Sequence, residues 1–312
     1  MCIKKRGARE GQFAAGNCFI WSEKMKESPL FEVANRYPQL RLPIKCGAKD
    51  TEEYKDAVLR GKPVFRELEF NFSPDDSLTL VDTPVGKAEV LYLANREDFV
   101  HALRALAYRC EPVEIPASVG ASTVRGLINW EKISGHKRTY LAQGGNDWAA
   151  EFKRFTANKN NYQDSIILLS AGEYSALPAE AVGLAPKEWL DRSRIIRQYH
   201  ELTHFICRQR YPNNIDAVRD EVIADMIGMI AAFGAYDPEL ARRFLGTEGG
   251  SYRAGGRLSH YTEESKLQEA VATANQLIDQ CARQVKTMEK EDVFALLLRV
   301  CENIFLLFQN GS

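Results

Sequence analysis

The 312-residue chain has no surplus of charge of either sign: 41 basic residues stand against 42 acidic ones, and the formal net charge is -1. Binding to nucleic acid or to an anionic membrane surface usually draws on a basic excess, so neither partner is expected. Cysteine is sparse. Cys2, Cys18, Cys46, Cys110, Cys207, Cys281 and Cys301 are odd in number, widely spaced and without a C-x-x-C pair. That argues against a disulfide framework and against a thiolate zinc site, and for buried thiols in a reducing compartment. Long apolar runs are missing as well. Phe13 to Ile20 is short and broken by Gly16 and Asn17, a poor secretory signal. Val293 to Phe308 is interrupted by Arg299, Glu302 and Asn303, whereas a membrane span needs about 20 mostly apolar residues. A packed amphipathic helix is expected there, with no membrane span and a cytoplasmic location. There is no internal repeat and no low-complexity tract.

What is present is enough apolar residue, 45%, for a sizeable core. Residues 1–62 read as an irregular N-terminal segment with one short helix at Thr51 to Leu59. From there the patterns sharpen. Val64 to Phe72 alternates as a strand would, and Ser77 to Val81 and Lys87 to Leu93 read as further strands, separated by turn residues such as Pro84-Val85-Gly86. Arg96 to Arg109 has a helical period. Val113 to Pro116 and Lys137 to Ala142 are strand candidates, and Asn146 to Thr156 a helix. Gly120-Ala-Ser-Thr-Val-Arg-Gly126 is small and polar; it lacks the Lys-Ser/Thr ending of a phosphate loop and reads as a plain loop. Asp164 to Ser170, with four aliphatics in a row, is the clearest strand.

Two helices follow, Pro186 to Arg210 and Ile215 to Phe233, separated by Pro212 and Asn213-Asn214. Trp189, Leu190, Ile195, Ile196, Tyr199, Leu202, Thr203 and Ile206 mark the apolar side of the first. Pro238 to Leu245 reads as a short helix with Asp237 as its N-cap. Gly246 to Gly256 is glycine-rich and predicts a mobile loop, and Glu263 to Met288 and Lys290 to Gln309 predict two long helices.

The chemistry is concentrated at His200-Glu201-Leu202-Thr203-His204. Residues four apart on a helix share a face, so the two imidazoles can hold one zinc ion at about 2.0–2.1 Å. Glu201 projects to the adjacent side, where it can act as general base toward the attacking water and then carry the proton to the leaving amine. A catalytic zinc needs a third protein ligand and an open fourth position. The residues after His204 supply none, with no glycine and no third histidine through Arg210. The next helix offers Asp220, Glu221 and Asp225. If the two helices form an antiparallel hairpin, His204 and Glu221 both lie about 9 Å from the turn, at one height. Asp225 falls level with His200, where it can accept the free imidazole N–H and fix the ring. Asp220 and Asp225 remain alternative ligands.

H-E-x-x-H followed on the next helix by E-x-x-x-D resembles the gluzincin branch of the zincin metallopeptidases, over about residues 164–235. The resemblance implies that His200, His204 and Glu221 bind one Zn2+ per chain, that Glu201 is the base, and that Asp225 holds a ligand histidine. The variant Glu-x-x-Ala-Asp of Glu221 to Asp225 is also similar to compact cytoplasmic peptidases that cleave repressors. The interval from His204 to Glu221 is shorter than in thermolysin-like enzymes.

The zincin pattern further implies a substrate-pairing edge strand before the active helix, for which Ser165 to Ser170 or a neighbouring strand is the candidate. Donors for the oxyanion are implied too, for which His260 and Tyr261 have the right chemistry. His101 reads as a plain structural residue, His136 as a turn residue and Cys207 as core. The expectation is thus an α+β fold: a zincin-like core with a mixed sheet over residues 63–235 and a helical C-terminal region over 236–312. The expected activity is zinc-dependent hydrolysis of a peptide or protein substrate. The alternatives are a non-catalytic zinc-binding or regulatory module on the same scaffold, and a peptidase switched by residues 1–62 or by the helical tail.

Overall fold

In a computed structural model the chain is described over residues 28–212, 216–286 and 292–309. Its centre is the aliphatic run Ile166 to Leu169, in strand β4 (Gln163–Ser170), where all four side chains are buried. Successive strand residues point to opposite faces, so Ile167 and Leu169 enter one core and Ile166 and Leu168 the other. Burying each of these side chains contributes about 1.5–3 kcal/mol, which explains why β4 takes an interior place in the sheet. Strands β1 (Ser77–Thr83) and β2 (Gly86–Leu93) form an antiparallel hairpin. β2 runs parallel to β4, and strand β3 (Ala121–Ile128) runs antiparallel to β4 on the other side. The mixed four-stranded sheet has the order β1-β2-β4-β3, which leaves β3 as an edge strand.

Residues 28–62 are not irregular beyond the described boundary. Helix α1 (Pro29–Arg36), capped by Ser28, is followed by Pro38–Arg41 in a 3-10 turn and by Glu52–Tyr54 running into a π-helical Lys55–Leu59. Leu30, Val33, Tyr37, Leu40 and Ala57 pack with Phe99 and Leu103 of helix α2 (Arg96–Leu106) against one face of the sheet. Residues 1–27, with Cys2, Cys18 and the segment Phe13 to Ile20, lie outside the described residues.

Several expected strands are corrected. Val64 to Phe72 alternates but has no ladder partner among the described residues: Leu68 is buried, and the stretch ends with the amides of Asn71 and Phe72 donating to Asp98. Alternation makes a strand only where another edge is free to pair. Val113 to Pro116 is not in the sheet either. Lys137 to Ala142 is the end of helix α3 (Trp130–Ala142), which starts because Asn129 caps the amides of Glu131 and Lys132. His136 is therefore helical, not a turn residue. It stacks on Phe155 of helix α4 (Trp148–Thr156) with ring centroids 4.1 Å apart, and it bonds Glu151. Gly120 to Gly126, read as a loop, is mostly β3, with a bulge between Arg125 and Leu127.

The second face of the sheet carries the long helix α5 (Pro186–Arg210), whose predicted bounds match, and its antiparallel partner α6 (Ala217–Phe233). Of the apolar positions expected on α5, Leu190 is exposed. Helices α7 (Pro238–Leu245), α8 (Leu267–Lys286) and α9 (Val293–Gln309) share one hydrophobic cluster with α5 and α6. The glycine-rich segment, expected to be mobile, is tied down. The amide of Arg253 donates to Gly246 O at 2.8 Å, that of Gly256 to Arg253 O at 2.9 Å, and a Cβ on Gly246 would meet Gly256 Cα at 2.6 Å. No described helix is long and apolar enough to cross a membrane.

Candidate metal centre

The site forms where α5 and α6 cross closely. Gly228 on α6 lies against Ile196 on α5: a Cβ there would stand 2.8 Å from Ile196 O. This contact sits about one turn from His200 on α5 and about two turns from Glu221 on α6, so it helps set how near the two backbones come. Asp216 caps α6 by accepting from the Arg219 amide at 2.8 Å, and Gly234 ends it in a left-handed turn.

His200, His204 and Glu221 are buried and converge. His200 Nε2 and His204 Nε2 are 3.0 Å apart. Glu221 reaches both, with Oε1 3.2 Å from His204 Nε2 and Oε2 3.4 Å from His200 Nε2. Four-coordinate zinc with bonds of about 2.0–2.1 Å places its ligand atoms about 3.3–3.4 Å apart, and these separations, two of which end on different oxygens of the one carboxylate, are close to that length. Glu221 Oε2 is buried with no hydrogen-bond partner, a cost that an ion between the three groups removes. The group can therefore bind a metal ion.

Asp225 lies where expected, with Oδ1 3.0 Å from His200 Nδ1. A proton held on Nδ1 leaves the Nε2 lone pair facing Glu221 and His204. Two further groups hold Asp225, and sequence reasoning missed both. Tyr174 donates its hydroxyl to Asp225 Oδ1 at 2.6 Å and lies 2.9 Å from His200 Nδ1. Arg257 Nη2 donates to both Asp225 oxygens at 2.6 Å, and its Nη1 donates to Ser175 Oγ at 3.1 Å. Burial pushes the Asp225 carboxyl up, but Arg257 and His200 outweigh it and hold the group below its ordinary range. Burial likewise opposes charge on His200, yet the Glu221 and Asp225 carboxylates raise it to about 9 when no metal is present. The same contacts hold Glu221 well below the usual carboxylate range against its burial.

Glu201 is buried on the neighbouring side of α5, and Thr123 of β3 donates to its Oε2 at 2.6 Å. A pocket of about 110 Å3 opens beside them. His200, Glu201, Arg197, Arg257, His260 and Tyr261 are among its lining residues. The structure thus brings His260 and Tyr261 to the same pocket, His260 exposed and Tyr261 half-buried. Burial, aided by Glu221 and Asp225 and opposed by Arg257, raises the Tyr261 phenol well above its ordinary value, so it remains a donor. Arg197, also missed, donates to Gly172 O at 2.5 Å and Glu173 O at 2.6 Å; burial brings it down to about 10. Asp220, the alternative ligand, stands outside the converging group.

The missed residues left uneven traces in the sequence. Thr123 sits in Ser-Thr-Val between two glycines, where β-branched residues could have signalled a strand. Arg197 stands three residues before His200 on α5, a helical spacing that could have flagged it, whereas Tyr174 and Arg257 carry no spacing that ties them to His200.

A family model described as "Family of unknown function (DUF7005)" matches residues 17–306. The chain belongs to that family. No curated protein and no solved structure matches it.

Proposed function

We propose that this member of the DUF7005 family is a zinc-dependent peptidase of the gluzincin type, built on a zincin-like core. The observation that carries the reading is the convergence of His200, His204 and Glu221, with the two imidazole Nε2 atoms 3.0 Å apart and each within 3.4 Å of a Glu221 oxygen, beside an intact Glu201. A zinc ion held there supplies Lewis acidity, polarising a scissile carbonyl and acidifying a water molecule.

The chain's own residues supply the rest. Glu201, oriented by Thr123, takes the proton from the attacking water and passes it to the leaving amine. Asp225, itself held by Arg257 and Tyr174, fixes the ring of His200. Tyr261 and His260 face the pocket as donors toward a developing oxyanion. β3 is an edge strand alongside α5, and an extended peptide can add to it by main-chain pairing. The strand first favoured for this, β4, is interior to the sheet, which makes its neighbour β3 the better candidate.

A non-catalytic zinc-binding or regulatory module has one observation on its side. The pocket before Glu201, about 110 Å3, is small beside the roughly 300–1,000 Å3 of ordinary ligand sites. Metal analysis of the purified chain together with peptide cleavage by wild type and Glu201→Gln decides between them. The peptidase reading expects about one zinc per chain in both proteins and cleavage by wild type alone. Zinc in both with cleavage in neither supports the module.

A further inference from the structure

A second, larger cleft of about 770 Å3 lies along the other end of the strand–helix groove, between the β1–β2 hairpin, the end of β3 and the last turns of α5. Its carboxylates are already matched: Glu89 pairs with Arg36 at 2.5 Å, and Asp164 with Lys132. Arg125 and Arg208 also line it, and neither has a carboxylate within 4 Å among the described residues. Their charges act on each other. The Arg125 guanidinium is lowered by burial and then by Arg208, with Glu201 opposing. Arg208 also influences Asp220 on α6, from beyond ion-pair distance.

Two guanidiniums that line one cleft without an ion-paired carboxylate are unfavourable to each other, and that cost is relieved when a carboxylate bridges them. Their register relates them to the candidate catalytic base. Thr123 touches Glu201, and Arg125 is two residues further on β3, hence on the same face and about 7 Å along. Arg208 is two helical turns after Glu201 on α5, so it lies on the same side of that helix.

Resting on the peptidase reading above, we propose that Arg125 and Arg208 form a carboxylate-binding subsite that selects acidic peptides and places the scissile bond about two residues from the bound carboxylate. The carboxylate is either an Asp or Glu side chain or the C-terminus of the peptide.

The test uses the full chain loaded with zinc and a panel of peptides. Members differ only by Glu or Gln at successive positions, each with a free or amidated C-terminus, and cleavage is read by mass spectrometry. An acidic side chain as ligand predicts a Glu-over-Gln preference of about tenfold at one position; a C-terminal carboxylate predicts the same preference for free acid over amide. The double substitution Arg125→Ala with Arg208→Ala should bring that ratio to within about twofold, and Arg125→Glu with Arg208→Glu should turn the preference from Glu to Gln. Both side chains are exposed, so these changes should leave folding intact. Binding of fluorescent Glu and Gln peptides to zinc-loaded Glu201→Gln provides a readout independent of turnover. Cleavage without charge preference overturns the subsite and leaves the peptidase reading standing. Charge-selective binding that depends on both arginines, with no cleavage by wild type, keeps the subsite and sinks the peptidase. Neither charge-selective binding nor cleavage overturns both.

Discussion

The hydroxyl of Thr123 lies 2.6 Å from Glu201 Oε2, so the edge strand of the sheet holds the carboxylate that follows the first ligand histidine. The bond ties β3 to α5 at the point where chemistry is proposed. Thr123→Val keeps the shape and removes the donor. The expected outcome is unchanged zinc content, a kcat lowered by about tenfold and a KM nearly unchanged, because a bond to a charged group is lost where the base must be aimed. Steady-state kinetics on a cleaved peptide checks it; an equal kcat would show that Thr123 does not orient the base.

Glu201→Gln retains the volume of the side chain and leaves the three ligand groups in place. Zinc content should stay near one per chain while turnover falls by at least about 100-fold, the range expected for removing a general base. Metal analysis and single-turnover assays on the same sample separate the two effects.

Arg257→Met should destabilise the metal-free protein by about 3–5 kcal/mol, because Asp225 is left buried with its bidentate cation gone. It should also weaken zinc affinity by about 10–100-fold, through loss of the group that holds Asp225 against His200. Urea unfolding and competition with a chelating dye measure these. A change in neither would show that Tyr174 alone suffices to fix Asp225.

The metal-free protein should lose stability as pH rises. His200 at about 9 in the folded state lies above the 6.5 of an unperturbed imidazole. Its stabilising contribution is therefore complete below about 6.5 and lost as pH passes through about 9. The apo Tm should fall across that window, whereas the zinc-loaded protein should gain relative to it, since zinc replaces the proton. Near pH 7.5 zinc binding should release about one proton. Titration calorimetry in buffers of different ionisation enthalpy counts it, and a count near zero would contradict a protonated His200.

Gly228→Ala places a methyl 2.8 Å from Ile196 O and 3.0 Å from its Cγ2. Neither backbone can move without shifting the helix pair. The expected cost is about 1–3 kcal/mol, together with weaker zinc binding as Glu221 recedes from the histidines. Tm and zinc affinity should therefore fall together in this variant.

The helices from α5 onward were legible because their signals are local, whereas α1 fell in a stretch read as irregular and the end of α3 was read as a strand. The α5 bounds at Pro186 and Arg210, the Asp237 cap of α7 and the four-residue spacing of His200 and His204 all lie within a turn or two of sequence. The sheet was harder to read. Val64 to Phe72 has the pattern of a strand and no partner among the described residues, while Ala121 to Ile128 has a partner and a weak pattern. Backbone pairing depends on which edge is free in space, and no window of sequence contains that.

By itself the sequence determined the motif, the helices that carry it and the level at which Glu221 and Asp225 meet the histidines, since a helical repeat converts residue number into height and face. Only the tertiary structure decided what surrounds that line of residues. Arg257 arrives from a turn pinned by Gly246 and Gly256, Tyr174 from the segment after β4, and Thr123 and Arg125 from an edge strand. These groups are far apart along the chain, and their approach is set by how helices and sheet bury their apolar faces, a constraint that acts on the whole molecule at once.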